Sequence, residues 1–357
     1  MTQRGIAVVL SGFPRHSETF ALEDVSALDR QGLLAAVFST KPGETDLAQP
    51  GVSRLRHRVH ALSGSPDGQA AEAARYLDGT RVAGVHAYFA HRPADVAAAL
   101  ARSLDVPFGF SVHARDARKM TREALHDRGR RAACVVACNR DVAGEFDGSG
   151  VPVQIVPHGV DLRRFATVAP ASGPVFRLLA VGRLVEKKGF AVLLGALTAV
   201  REPWRLHIVG DGPQRERLAA QARGLGLSDR VTFLGTVTHD ALPAEYGRAD
   251  AVIVPSVLDS TGDRDGLPNV VLEAMASGLA IVATDMGAIA SAIRDDETGV
   301  LVPAGDAAAL GEAIDRLART PRLRVRLGGA AREAVERDFD VRDCTRRLAL
   351  VLREAYA

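Results

Sequence analysis

Short apolar runs alternate with amphipathic stretches along almost the whole chain. Residues 5–10 (GIAVVL), 33–38, 82–88, 108–112, 134–137 and 153–156 are near-continuous hydrophobic runs of strand length, the pattern of strands buried on both faces. Between them lie segments with helical spacing: 17–30, opened by Ser17 and Glu18, then 69–77, 94–104 and a basic stretch over 115–131. Strand and helix exchange regularly, which predicts a doubly wound parallel α/β sheet. Periodicity lapses at 166–174 into Ala, Thr, Ser, Gly and Pro, the composition of a linker. An N-terminal domain is therefore expected over 1–165 and a second one over 175–335. In the second, strands are predicted at 176–181, 206–209, 231–234, 251–254, 280–283 and 300–302, with helices starting at 213, 241, 268 and 307. Beyond Pro321 two more helices follow, and 336–357 is expected to pack back toward the N-terminal domain. Arg54, Arg56 and Arg58 alternate with Leu55 and His57, a pattern that predicts the polar face of an edge strand.

Length and charge narrow the picture. A chain of 357 residues exceeds one ordinary domain, in keeping with the two expected. A formal charge of +2 on 45 basic and 43 acidic residues excludes nucleic-acid binding driven by bulk charge. Three cysteines, Cys134, Cys138 and Cys344, are too few and too unevenly placed for a disulfide scaffold or a tetrahedral metal site. They read as free thiols in a reducing cytoplasm. No apolar run approaches the roughly 20 residues needed to span a bilayer, so a cytoplasmic location is expected. The 115–131 stretch carries seven cations against three acids. A solvated helix face is the expected reading, with an anionic inner-membrane surface as the alternative.

Three strand-end loops in the second half carry candidate chemistry. Gly182 and Arg183 lead to Lys188 and Gly189, which places two cations on a loop before a helix, where they would offset a diphosphate. Taken singly, Arg183 and Lys188 are ordinary loop charges. Gly210-Asp-Gly212-Pro is a tight turn that does not match the dinucleotide fingerprint, and no P-loop is present. In the third loop Asp265 precedes a helix whose second turn carries Glu273, between Leu272 and Ala274-Met275. A buried glutamate needs a partner, and a ribose diol suits a carboxylate.

These residues together resemble the retaining glycosyltransferases of family 4. The resemblance rests on Val181-Gly-Arg-Leu184 with Lys188-Gly189, Ile208-Val-Gly-Asp-Gly-Pro213, Phe233-Leu-Gly235, Pro255-Ser256, Asp265-Gly-Leu-Pro268 with Glu273-Ala-Met-Ala-Ser-Gly278, and Thr298-Gly-Val-Leu-Val302, in the family's order. Phe13-Pro-Arg-His-Ser-Glu-Thr-Phe20, Ser111-Val-His-Ala114 with Asp116, and Val156-Pro-His-Gly-Val-Asp161 are similar to a subgroup that assembles bacterial polysaccharides. The resemblance implies a GT-B fold, two Rossmann-like doubly wound domains facing across a cleft. It implies transfer of a sugar from a UDP- or GDP-linked donor to a hydroxyl of a glycan or lipid-linked acceptor, with retention of configuration and no required metal.

By the same resemblance, Arg183 and Lys188 hold the diphosphate, Glu273 the ribose, and Asp265 and His113 the transferred sugar. Gly12, Gly182, Gly212, Leu234, Gly266 and Leu267 line the donor site, and Glu18 is carried as a further candidate. Asp265 stands where the family has Glu, one methylene or about 1.5 Å shorter in reach. Asn139 replaces a Ser-Glu pair. His86, His91 and His158 are expected to be structural. Two other readings stay open: a nucleotide-sugar epimerase of the same fold, and a sugar-nucleotide-binding protein without catalysis.

Overall fold

The computed structural model describes residues 4–15, 18–44, 52–117, 119–167 and 173–357, leaving aside the side chains of Arg115 and Asp116. Ser17, Arg118 and residues 168–172 of the expected linker lie outside the described residues. The chain divides into two compact units, Met1–Gly159 with Val341–Ala357, and Val160–Asp340. The division falls ahead of the 166–174 stretch because Val160 and Phe165 are buried in a core cluster of the second unit.

In the first unit the apolar runs form β1 (Gly5–Leu10), β2 (Leu34–Ser39), β3 (Val59–Ala61), β4 (Val82–Tyr88), β5 (Phe108–Val112), β6 (Cys134–Ala137) and β7 (Val153–Ile155). Among the described residues they make a seven-stranded parallel sheet in the order β3-β2-β1-β4-β5-β6-β7. The intervening helices are α1 (Thr19–Arg30), α2 (Val52–Leu55), α3 (Pro66–Tyr76), α4 (Arg92–Leu104), α5 (Ala114–Ala117), α6 (Arg122–Arg131) and α7 (Arg140–Ala143). Asn139 caps α7, its side chain accepting from the Val142 amide at 2.9 Å.

The second unit repeats the plan. β8 (Phe176–Val181), β9 (Trp204–Val209), β10 (Val231–Gly235), β11 (Ala251–Val254), β12 (Ala280–Thr284) and β13 (Val300–Val302) are ordered β10-β9-β8-β11-β12-β13, again parallel. Its helices are α8 (Phe190–Ala196), α9 (Arg215–Gly224), α10 (Leu242–Arg248), α11 (Asn269–Ala276), α12 (Ile289–Ala292), α13 (Ala307–Arg319) and α14 (Pro321–Asp338). Pro268 takes the N-cap position of α11, where its missing amide hydrogen leaves no helical bond unmade. Gly278, just past the helix, adopts φ +69, the left-handed turn that glycine enters without strain.

The edge-strand reading of 54–58 does not hold. Val52–Leu55 is a helical turn and Arg56–Arg58 a 3-10 turn, and the edge strand starts only at Val59. The alternation arose because Leu55 alone turns inward, at 1% exposure, while Arg58 reaches back to the Leu34 carbonyl (2.8 Å) and Asp29 (3.0 Å). Part of the basic stretch is likewise engaged within the protein. Arg122 donates to the Gly144 and Glu145 carbonyls at 2.7 and 3.1 Å, and Arg128 pairs with Asp95.

The last helix, α15 (Val341–Ala355), joins the first unit, and Tyr356 beyond it is buried over the sheet. Gly84 and Gly109 leave the room this ring occupies: a Cβ on either would lie 2.5 Å from one of its atoms. The Tyr356 hydroxyl meets His86 Nδ1 at 2.8 Å, and His86 Nε2 meets the Ser111 hydroxyl at 2.8 Å. Burial lowers the His86 pKa to about 3, so the ring is neutral at physiological pH. Truncation of Tyr356 to Ala should destabilise this unit by about 3–5 kcal/mol, the range for losing a buried aromatic ring. Chemical unfolding measures it, and a change within 1 kcal/mol (the scale of an exposed site) would show that the helix is not held by this ring.

Candidate active site

In a parallel sheet the strand order reverses where crossovers begin to run the other way, and the loops after the two strands there diverge to leave a crevice. In the second unit those strands are β8 and β11, paired directly. The loop after β8 carries Gly182, Arg183 and the 3-10 turn Glu186–Lys188, and the loop after β11 carries Ser256 and Asp265. Gly189 presses one loop on the other. It has φ +66, and a Cβ there would fall 1.7 Å from the Pro255 carbonyl oxygen. Gly210, at the end of β9, packs on the Gly182 carbonyl, where a Cβ would be 2.0 Å away, and Gly212 packs on Leu184.

That packing brings two of the expected residues into contact. Lys188 Nζ lies 2.9 Å from Asp265 Oδ2, and Lys187 Nζ lies 3.0 Å from Asp263 and 3.7 Å from Asp265 Oδ1. Asp265 is 7% exposed and accepts from the Ser256 hydroxyl at 2.8 Å, while Thr284 donates to the Ser256 carbonyl at 2.6 Å. Gly287, at φ +59, lets the backbone close on Asp265: a Cβ there would be 2.3 Å from its carbonyl oxygen. Arg183 is exposed, with its backbone tied to the same loop through Val185 N–H donating to its carbonyl at 2.8 Å. Gly182 lies along the Lys188 stem, at 3.4 Å from a built Cβ. Gly266 and Leu267 are half-buried, Leu267 against the core, and Leu234 is exposed on β10.

Glu273 forms a second group. It is 7% exposed on α11, and the Tyr246 hydroxyl of α10 donates to its Oε2 at 2.7 Å. Burial raises its pKa from 4.5 to about 7, opposed by the Tyr246 hydrogen bond and the Arg164 charge. The partner a buried glutamate requires is thus present within the fold.

The first unit holds its own cluster at the ends of β4, β5 and β6. His113 follows β5 and stacks on His158 at 5.0 Å, with the Phe20 and Phe89 rings 4.9 and 5.0 Å away. Together with Asp24, Tyr88, Ser111 and Leu348 the two imidazoles line a recess of about 10 Å³, space for about one water molecule. Burial holds His113 well below the usual histidine range and His158 at about 4, so both rings are neutral at pH 7. Burial also lifts Asp24, beside Tyr88, to about 7. Gly12 lies buried in the loop after β1, where a Cβ would meet the Arg15 guanidinium at 2.8 Å. Glu18 sits at the N-cap position of α1, 3.5 Å from Arg15, with its pKa raised by burial.

Several contributors had no visible signal. Tyr246 is 27 residues from Glu273, on a different helix, with no motif around it. Asp24 belongs to an unremarkable amphipathic stretch; His158, within the Val156–Asp161 motif and expected to be structural, packs on His113. Lys187 did have a signal, since it adjoins Lys188 on a turn where both cations are held against acids.

Two tandem Rossmann-like domains with this strand order place the fold in the GT-B class of glycosyltransferases. Solved structures agree: the Anabaena protein Alr3699/HepE, in complex with UDP, superposes at a TM-score of 0.82 with 19% identity, over 99% of this chain and 100% of that one. Residues 175–320 match the family described as glycosyl transferases group 1, and residues 17–164 match glycosyltransferase family 4. The chain belongs to this family of glycosyltransferases. WcaL of Escherichia coli (strain K12), provisionally assigned as a colanic acid biosynthesis glycosyltransferase, is 27% identical over 98% of this chain and 99% of its own. The phosphatidyl-myo-inositol mannosyltransferase of Mycobacterium leprae (strain TN) is 40% identical over 54% of this chain and 51% of its own length. Among the described residues no helix is long and apolar enough to cross a membrane.

The raised Glu273 pKa has a consequence for stability. The folded form holds this proton from the unfolded value of 4.5 up to about 7, so stability is fully present below 4.5 and falls as pH rises through that window. The displacement corresponds to at most about 3 kcal/mol. Glu273→Gln removes the charge and should unfold at higher urea concentration than wild type at pH 8, by up to that amount, with the difference vanishing toward pH 4.5. An equal effect at both pH values would contradict the assignment.

Proposed function

We propose that the protein transfers a sugar from a nucleoside diphosphate donor, UDP- or GDP-linked, to a hydroxyl of a glycan or lipid-linked acceptor. Retention of anomeric configuration and a place in cell-surface polysaccharide or glycoconjugate synthesis are part of the same reading. One observation carries it: Lys188 and Asp265 meet at 2.9 Å where the loops of β8 and β11 diverge, ahead of the α11 N-terminus. A cation beside an acid suits the point where a diphosphate joins a sugar, because each end of the donor then finds the opposite chemistry. The names of relatives support the acceptor class, since WcaL is assigned to colanic acid and the Mycobacterium leprae protein to phosphatidyl-myo-inositol. The UDP held by Alr3699/HepE supports the donor class.

Breaking the bond between the anomeric carbon and the diphosphate oxygen leaves negative charge on that oxygen. Lys188, the exposed Arg183 and the α11 N-terminus stabilise it, and the reading assigns this task to them in place of a metal ion. Asp265 accepts from hydroxyls of the transferred sugar, and Glu273 from the ribose. His113, neutral at pH 7, can donate to or accept from a sugar hydroxyl without adding charge. The acceptor hydroxyl forms the new bond on the face the diphosphate leaves, and its proton passes to the departing phosphate oxygen.

A thermal-shift series with UDP, GDP, ADP and their sugars identifies the donor. A ligand at 100 times its Kd should stabilise the protein by about 2.7 kcal/mol, and no shift from any of them would overturn the reading. Lys188→Ala should lower turnover about 10²–10³-fold, as for other charge-stabilising groups, with the fold intact. Asp265→Glu should change donor preference, and an unaltered preference would remove its sugar contact.

A further inference from the structure

Glu273 is reached from α10 by one side chain. Tyr246 is fully buried, and its ring is fixed edge-on against Phe165 at 5.4 Å between centroids, so its hydroxyl has one direction to point. It points at Glu273 Oε2, 2.7 Å away. Among the described residues no other side chain hydrogen-bonds this carboxylate. Arg164 acts on it through charge alone and is itself engaged with His239 and, at 3.6 Å, with Asp240. From α14, Arg332 donates to the Phe165 carbonyl at 2.9 Å and to that of Ala276, and pairs with Glu336 at 2.5 Å. β11, β12 and α12 contribute no titratable side chain, reading AVIV, AIVAT and IASA.

We propose that Tyr246 is a positioning residue of the donor site: by donating to Oε2 it holds Glu273 as an oriented carboxylate whose Oε1 is left to accept from the nucleotide ribose. The inference rests on the donor role assigned to Glu273 above. A protonated glutamate would itself donate, and the ribose would lose an acceptor. Since burial places that transition near neutrality, nucleotide affinity should rise with pH to about 7 and level off above it. The tyrosine hydrogen bond favours the ionised form and so sets where the transition falls.

The test is calorimetric titration of the full chain with UDP and with GDP across this pH range. Tyr246→Phe removes the hydroxyl alone. The midpoint should move up by about one pH unit, so affinity should fall about fivefold at pH 7 and about tenfold well below it. At alkaline pH the affinities should converge. A loss equal at every pH would mean general loosening and would overturn the inference. In a Glu273→Gln background the same substitution should leave affinity unchanged, and a further loss there would also overturn it. Placing 3-fluorotyrosine at 246, which keeps the shape and donates more strongly, should move the midpoint down, and an upward or absent shift counts against the proposal. A wild-type protein that binds neither nucleotide overturns both this inference and the donor role of Glu273, whereas binding with an unmoved midpoint overturns this inference alone.

Discussion

The site depends first on a constraint of parallel sheets, that the strand order reverses at one place and the loops there must part. β8 and β11 are neighbours across that reversal, though 69 residues separate their last and first positions only in sequence terms, from Val181 to Ala251 and beyond. The glycines then set how close the loops come. Gly189 on Pro255 and Gly210 on Gly182 leave no space for a Cβ, so the backbone contact is available to glycine alone. Lys188 meets Asp265 because two loops are pressed together beneath them.

Two buried acids of the second unit are handled in different ways. Asp265 is paired with Lys188 and Lys187 and accepts from the Ser256 hydroxyl, all within 3.7 Å. Glu273 has a neutral hydroxyl as its direct partner and a guanidinium acting at longer range, and desolvation prevails. A carboxylate held near its titration point is poised to gain from a hydrogen-bonding ligand, and in the unliganded protein its charge costs stability. Functional sites commonly carry groups displaced in this way.

In the first unit desolvation acts on bases. His113, His158 and His86 are all held neutral by burial; His158 stacks on Phe20 and on His113, and His86 is hydrogen-bonded to Tyr356 and Ser111. The sugar contact proposed for His113 would therefore come from a neutral ring. Tyr356 closes the same unit from the far end of the chain, and the glycines at 84 and 109 record its presence in the sequence.

The alternation of apolar runs and amphipathic segments was enough to determine the fold, because strands buried on both faces must be hydrophobic throughout and each crossover must present an apolar face to the sheet. Arg183, Lys188 and Asp265 on strand-end loops and Glu273 on α11 were visible in the sequence as candidates, since glycine, proline and charge cluster at strand ends. The 54–58 stretch misled because one buried Leu55 among arginines mimics a strand of period two. Only the tertiary structure decided which charges meet: Lys188 with Asp265, Tyr246 with Glu273, His158 with His113. Those contacts join different elements, and local spacing carries no information about the distance between side chains that the packing of sheets and helices brings together.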